Sequence, residues 1–166
     1  MLLSEIITIG DELLIGQVVD TNSAWIAQRL NDIGIKVKQI TSVSDEEGHI
    51  LQSLTEAAIR AEIIFITGGL GPTKDDITKK TLCKFFNTGL KFDEKSFQII
   101  ESIFHSRGRQ VTPVNRKQAE VPENCTVLPN YLGTAPGMWF ENEGRIYISM
   151  PGVPSEMKGL MEKTIL

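Results

Sequence analysis

The sequence predicts an α/β fold on a mostly parallel central sheet. Strand and helix signals alternate three times across the first half of the chain, which implies right-handed βαβ crossovers. The most strand-like run, EIIFIT at 62–67, is apolar on both faces, as a strand in the middle of a parallel sheet must be.

Each element has its own signal. SEIITIG (4–10) is a β-rich run that ends on glycine. TNSAWIAQRLNDIG (21–34) places Ile26, Leu30 and Ile33 on one helix face, with Thr21 or Asn22 as cap and Gly34 as terminator. IKVKQITSVS (35–44) alternates Ile35, Val37 and Gln39 with lysines and reads as a strand. DEEGHILQSLTEAAIRA (45–61) is a second helix, opened by Ser44 or Asp45, with Ile50, Leu54 and Ala57 together. A third helical pattern begins near Asp76, and EKSFQIIESIFHSRG (94–108) reads as a fourth. Within APGMWFENEGRIYISMPG two strands meet at a turn near Asn142–Gly144, a small β-hairpin near the C-terminus. PSEMKGLMEKTI (154–165) closes as a helix with Pro154 and Ser155 at its start. The chain ends inside that helical pattern, which leads us to expect a single domain, 1–166, that opens a longer architecture.

Composition narrows the function classes. The 166 residues carry 17 basic and 21 acidic side chains, a net charge of −4, with no dense stripe of Lys and Arg. Tracking a nucleic-acid backbone requires such a stripe, so no nucleic-acid partner is expected. No apolar run approaches the ~20 residues that span a bilayer, so no membrane partner is expected either. The apolar start is interrupted by Glu5 and lacks a basic leader, and we read it as a strand. Cys83 and Cys125 lack metal-ligand spacing and read as small core residues of a reduced, cytoplasmic protein. His49 and His105 have no partner at ligand spacing and are assigned no chemistry.

The chemistry concentrates in FITGGLGPTKDDIT. Ligands of open parallel sheets sit beyond the carboxyl ends of the strands, where this turn lies. Gly68, Gly69 and Gly71 allow positive φ and close backbone approach, so amide groups around Thr73 converge on an anion, and Lys74 adds a mobile charge. Asp75 and Asp76 oppose a bare phosphate, a conflict that a bridging divalent cation such as Mg²⁺ or Mn²⁺ removes. Adjacent helical residues point roughly 100° apart, so one of the two aspartates caps the helix and the other faces the ligand. Two common phosphate motifs fail: Asp75 stands where a P-loop needs Ser or Thr, and Lys74 where a dinucleotide fingerprint needs its third glycine.

Other strand ends repeat the acidic theme. Asp11 and Glu12 follow the first strand, Asp20, Thr21 and Asn22 precede the first helix, and Asp45 follows the second strand. NYLGTAPGMW, with Thr134 and Gly137, and MPGVPSE, with Glu156, also lay backbone amides beside a ligand, although Pro-Gly turns serve equally as ordinary hairpin ends.

Taken in order, TIGDELLIGQVVDTN, SVSDEEGHI, FITGGLGPTKDDIT, NRKQAEVP, NYLGTAPG and MPGVPSEM closely resemble the N-terminal domain of the competence/damage-inducible protein A (CinA) family, part of the wider molybdopterin-binding superfamily. The resemblance implies a three-layer α/β/α domain, usually a homo-oligomer. It implies a pyrophosphatase dependent on a divalent metal (Mg²⁺, Mn²⁺ or Co²⁺) that splits ADP-ribose into AMP and ribose 5-phosphate. Relatives often carry a C-terminal amidase domain, which this sequence stops short of. By the same analogy Asp76 and Asp45 lie at the pterin or phosphate site, and Asp11 and Glu12 match an acidic element of metal-inserting relatives. Asp11 and Asp76 then hold the metal with Glu12 or Glu156, and Asp45 orients the water. Lys74 and the glycine amides hold the phosphates, and Asn22 bonds ribose or phosphate. Leu70 and Lys74 follow the CinA pattern rather than that of the pterin-adenylylating branch. Two alternatives stand beside hydrolysis: a molybdopterin-binding or adenylyl-transfer domain, and a non-catalytic nucleotide-sensing or oligomerisation module.

Overall fold

The structure is a computed structural model that describes residues 1–70 and 77–166. Among the described residues eight strands and seven α-helices follow in chain order: β1 Leu3–Ile9, α1 Asp11–Leu14, α2 Thr21–Asp32, β2 Lys36–Val43, α3 Glu47–Arg60, β3 Ile63–Thr67, α4 Ile77–Phe85, β4 Leu90–Phe92, α5 Glu94–Ser106, α6 Pro113–Arg116, β5 Glu120–Pro122, β6 Thr126–Leu128, β7 Gly137–Asn142, β8 Arg145–Met150 and α7 Pro154–Leu160. A 3₁₀ turn, Lys117–Ala119, precedes β5, and a wider π-type turn, Met161–Ile165, extends α7.

Six strands form one sheet in the order β2-β1-β3-β8-β7-β6. β2, β1, β3 and β8 run parallel, and β7 and β6 add an antiparallel margin. The expected fold class holds, and β3 sits between two parallel neighbours as its two-sided apolar sequence requires. The hairpin expected near the C-terminus is β7 and β8, turning at Glu143 and Gly144, both with positive φ. It is no appendage, because β8 pairs with β3 along its length.

Side chains alternate between the two faces of the sheet, as period-two strands must. Ile7 and Ile9 of β1, Ile64 and Ile66 of β3, and Tyr147 of β8 join Ile50 and Leu54 of α3 and Leu82 of α4 on one face. Ile6, Phe65 and Ile148 join Ile26 and Leu30 of α2 and Met157 and Leu160 of α7 on the other. Three layers result. Glu5, only 1% exposed in the middle of β1, is held by a two-pronged ion pair with Arg60 at the end of α3.

Boundaries differ from expectation where side chains compete for the backbone. Asp20, rather than Thr21 or Asn22, caps α2, accepting from the Ser23 N–H at 3.1 Å, which leaves Asn22 turned to other partners. α3 starts two residues later than expected, after Glu46, and Ser44 bonds the His49 ring at 2.5 Å. Both cysteines are buried thiols. Among the described residues no helix is long and apolar enough to cross a membrane.

Candidate ligand cleft

A cleft of about 590 Å³ opens at the carboxyl ends of β1, β3 and β8, within the size range of small-molecule sites. In the order 2-1-3 the chain reverses direction across the sheet between β1 and β3, and open α/β sheets bind their ligands at such a switch point.

Glycine builds the cleft floor. Gly68 and Gly69 continue β3 with φ of 103° and 69°. A Cβ on Gly68 would stand 2.2 Å from the carbonyl oxygen of Ile9, and one on Gly69 would stand 1.9 Å from Thr78 Oγ1. Gly152, after β8, approaches so closely that its Cβ would lie 3.2 Å from the Cα of Gly68. The turns are tied together: the Gly68 N–H donates to Met150 O at 3.1 Å, Thr67 Oγ1 donates to Pro151 O at 3.1 Å, and Asn22 Nδ2 donates to Gly152 O at 2.9 Å.

Carboxylates border this floor. Glu12 and Asp45 line the cleft, whereas Asp11 is not among its lining residues. Asp11 and Asp45 exchange bonds, the Asp45 N–H donating to Asp11 Oδ1 at 3.2 Å and the Asp11 N–H to Asp45 Oδ2 at 3.4 Å. The pair thereby locks the loop after β1 to the loop after β2. Glu156, in the first turn of α7, lines the cleft from another segment and accepts from Asn130 Nδ2 at 2.8 Å. Asn130 also donates to Ala135 O at 2.9 Å and accepts from the Leu132 N–H at 3.1 Å, which shapes the wall that carries Thr134.

Of the residues expected at the site, Asn22, Gly68, Gly69, Thr134, Glu12, Asp45 and Glu156 all border this cleft. Gly71, Thr73, Lys74, Asp75 and Asp76 lie outside the described residues. Gly137 is placed elsewhere: it opens β7 and is buried against Leu128 and Leu160, so its small size serves sheet packing. The expected metal set is not assembled by the described residues alone. Among them no group of three His, Cys, Asp or Glu side chains is arranged to hold an ion. Asp11 is engaged with a backbone N–H, and Glu156 with Asn130.

Polar cleft residues that the sequence did not single out come from later segments. Arg107, just past α5, and Gln118, in the 3₁₀ turn, both line the cleft. The Lys79 Nζ to Lys117 O bond, 3.1 Å, ties the 3₁₀ turn that carries Gln118 to α4, a long-range contact without a local sequence signal.

A family model described as a probable molybdopterin binding domain matches residues 5–166. The chain belongs to the molybdopterin-binding-domain family. Within that family it is similar to CinA-like proteins, as its motifs indicate. A CinA-like protein of Cytophaga hutchinsonii is 54% identical over 158 residues, 95% of this chain and 38% of that protein. One from Flavobacterium psychrophilum is 52% identical over 165 residues, 39% of its length. The chain thus spans about two-fifths of the length of these two relatives. The solved structure of a protein CinA of unknown function from Thermoplasma acidophilum superposes with a TM-score of 0.87 at 34% identity, covering 99% of this chain and 98% of that one. The molybdopterin biosynthesis enzyme MoaB of Thermus thermophilus shares the fold, with a TM-score of 0.63 at 19% identity over 98% of this chain and 88% of its own.

Proposed function

We propose that the cleft binds a small phosphorylated heterocycle, a pterin phosphate or a nucleotide, in the manner of a molybdopterin-binding domain. The observation that carries this is the glycine floor at the switch point. At Gly68, Gly69 and Gly152 a Cβ would meet Ile9, Thr78 and Gly68 respectively, so main chain rather than side chain forms this part of the cleft, and Arg107 and Thr134 border the same cleft. Such a floor lets a phosphate approach main chain closely, through amides other than that of Gly68, whose N–H is given to Met150 O. The walls suit the heterocycle: Leu70, Ile103 and Leu132 supply apolar surface, and Asn22 and Gln118 supply amides. Membership of the molybdopterin-binding-domain family supports the same choice.

Hydrolysis of ADP-ribose to AMP and ribose 5-phosphate is the second reading, favoured by Glu12 and Asp45 on one cleft wall. The described residues do not form a metal centre by themselves. Calorimetry and thermal melts with AMP, ADP-ribose and neopterin phosphate test the binding proposal. A ligand at a hundred times its Kd stabilises by about 2.7 kcal/mol, or roughly 5–10 °C in a chain of this size. No saturable shift with any of the three overturns it. Incubation with ADP-ribose and Mg²⁺, Mn²⁺ or Co²⁺, followed by chromatography, tests turnover; release of AMP that is lost in Asp45→Asn supports hydrolysis, and intact ADP-ribose under all three metals excludes it.

A further inference from the structure

Five buried side-chain polar atoms have no hydrogen-bond partner among the described residues, and three of them belong to Asn22 and Gln118. Both of these residues border the cleft, whereas Thr81 and Ser149, which own the other two, do not. Asn22 leaves only Oδ1 unmatched, since its Nδ2 is used. Gln118 is different. It is 6% exposed, and both its Nε2 and its Oε1 are unmatched.

Native proteins satisfy nearly all buried polar groups, and an amide orphaned at both ends is among the costliest to leave so. Its surroundings hold it in place. The 3₁₀ turn that carries it is tied on both sides, Lys117 O accepting from Lys79 Nζ at 3.1 Å and Ala119 O accepting from the Asp93 N–H at 2.8 Å. Ala119, the next residue, is fully buried. The backbone is thus held on both sides of Gln118, and rotation about the side chain's own torsions is what turns its buried Nε2 and Oε1 toward the cleft that the residue borders.

We infer that Gln118 is the heterocycle-reading residue of the cleft, an inference that rests on the binding function proposed above. A primary carboxamide presents one donor beside one acceptor. It complements in two parallel bonds any ring edge with the reverse pair, such as N7 and N6–H₂ of adenine or the N3–H and O4 of a pterin. The apolar wall of Leu70, Ile103 and Leu132 suits the faces of such a ring. The ligand class is thus a purine or pterin with a free amino-imine or lactam edge. A sugar phosphate alone leaves the amide as unmatched as it is in the empty protein.

The test compares wild type with Gln118→Met, which keeps the length of the side chain, and Gln118→Leu, which is one atom shorter; both remove the two polar atoms. The probes are AMP, neopterin phosphate and ribose 5-phosphate, each followed by calorimetry, with the melting temperature of the free proteins recorded. Both variants should melt no lower than wild type, because a buried unmatched amide has been replaced by apolar atoms. They should bind whichever heterocyclic probe the wild type binds about 10- to 100-fold more weakly, as loss of one two-bond base contact dictates. Affinity for ribose 5-phosphate should be unchanged, and the AMP and neopterin phosphate arms tell a purine edge from a pterin edge. Variants that bind the heterocycle within threefold of wild type, or lose ribose 5-phosphate to the same extent, overturn the role of Gln118 alone. A wild type that binds neither heterocycle overturns the underlying function instead.

Discussion

Gly68→Ala is the sharpest test of how the cleft is built. The substitution places a methyl group 2.2 Å from the carbonyl oxygen of Ile9 and 3.2 Å from its carbon, both backbone atoms of β1. β1 cannot yield, since it pairs with strands on both sides. The new residue also inherits a φ of 103°. Left-handed backbone costs an L-residue about 1–2 kcal/mol, and an overpacked site that forces a backbone shift costs about 1–3 kcal/mol more. The expected total is about 2–5 kcal/mol, a large part of the ~5–15 kcal/mol that holds such a domain folded. Gly144→Ala in the β7–β8 turn supplies the control, since its φ is also positive, 76°, but nothing lies within 4 Å of the added carbon. That variant bears the conformational cost alone. Thermal unfolding followed by circular dichroism should place Gly68→Ala below Gly144→Ala by about 2–12 °C, at ~2–4 °C per kcal/mol. Equal melting temperatures would refute the claim that contact with Ile9 makes glycine obligatory at position 68.

Asn130→Ala removes the side chain that joins Ala135, Leu132 and Glu156. At about 1 kcal/mol per bond it should cost roughly 1.5–4 kcal/mol in urea unfolding and weaken ligand binding by loosening the wall that holds Thr134. Arg60→Met leaves the carboxylate of Glu5, 1% exposed, without its partner. The variant should lose stability, and more at pH 8 than at pH 5, because an unpaired buried carboxylate favours the protonated form. Glu5→Leu combined with Arg60→Met should recover much of the loss. Burial pushes the Cys125 thiol up from 9.0 to about 11. Between those values the unfolded thiol ionises while the folded one keeps its proton, so stability falls as pH rises through that window. The fall should be shallower in Cys125→Ala, as urea midpoints across that pH range will show.

Much of this fold was legible because its signals are local. The two-sided apolar run expected at 62–67 became the central β3, 63–67, and the helix faces marked by Ile26 and Leu30 and by Ile50 and Leu54 are the ones the sheet buries. The short pieces between α4 and β7 were not legible. β6 has three residues, too few to show a period, and is defined by pairing with β7. The cleft divides likewise. Gly68, Gly69, Glu12 and Asp45 follow strands closely and Asn22 lies in the first turn of α2, so their places could be read from order alone. Gln118 sits in a motif noticed for its resemblance, NRKQAEVP, but only packing against α4 and α5 shows that it meets the cleft. Its local signal is thin, a neutral amide between charged residues and the buried Ala119 and Val121. Gly137 erred the opposite way, because a Pro-Gly pair marks a strand entry as readily as a ligand loop.

The cleft and its glycines share a topological cause. After β1 the chain leaves toward α2, whose Ile26 and Leu30 pack on one face of the sheet; after β3 it leaves toward α4, whose Leu82 packs on the other. After β8 it returns to the first face through α7. Neighbouring strand ends therefore send their chains apart, and the space between them stays open. What remains above the sheet is main chain that crosses at short range: Gly68 against Ile9 on one side and Gly152 against Gly68 on the other. Side chains at those crossings would fill the space that the diverging helices leave open. The glycines are thus required by the crossing itself, whatever ligand the cleft takes, and the choice of ligand falls to the residues that later segments bring to its walls. Substitutions at the crossings should accordingly impair stability and every ligand together, whereas changes at Gln118 should separate one ligand from another.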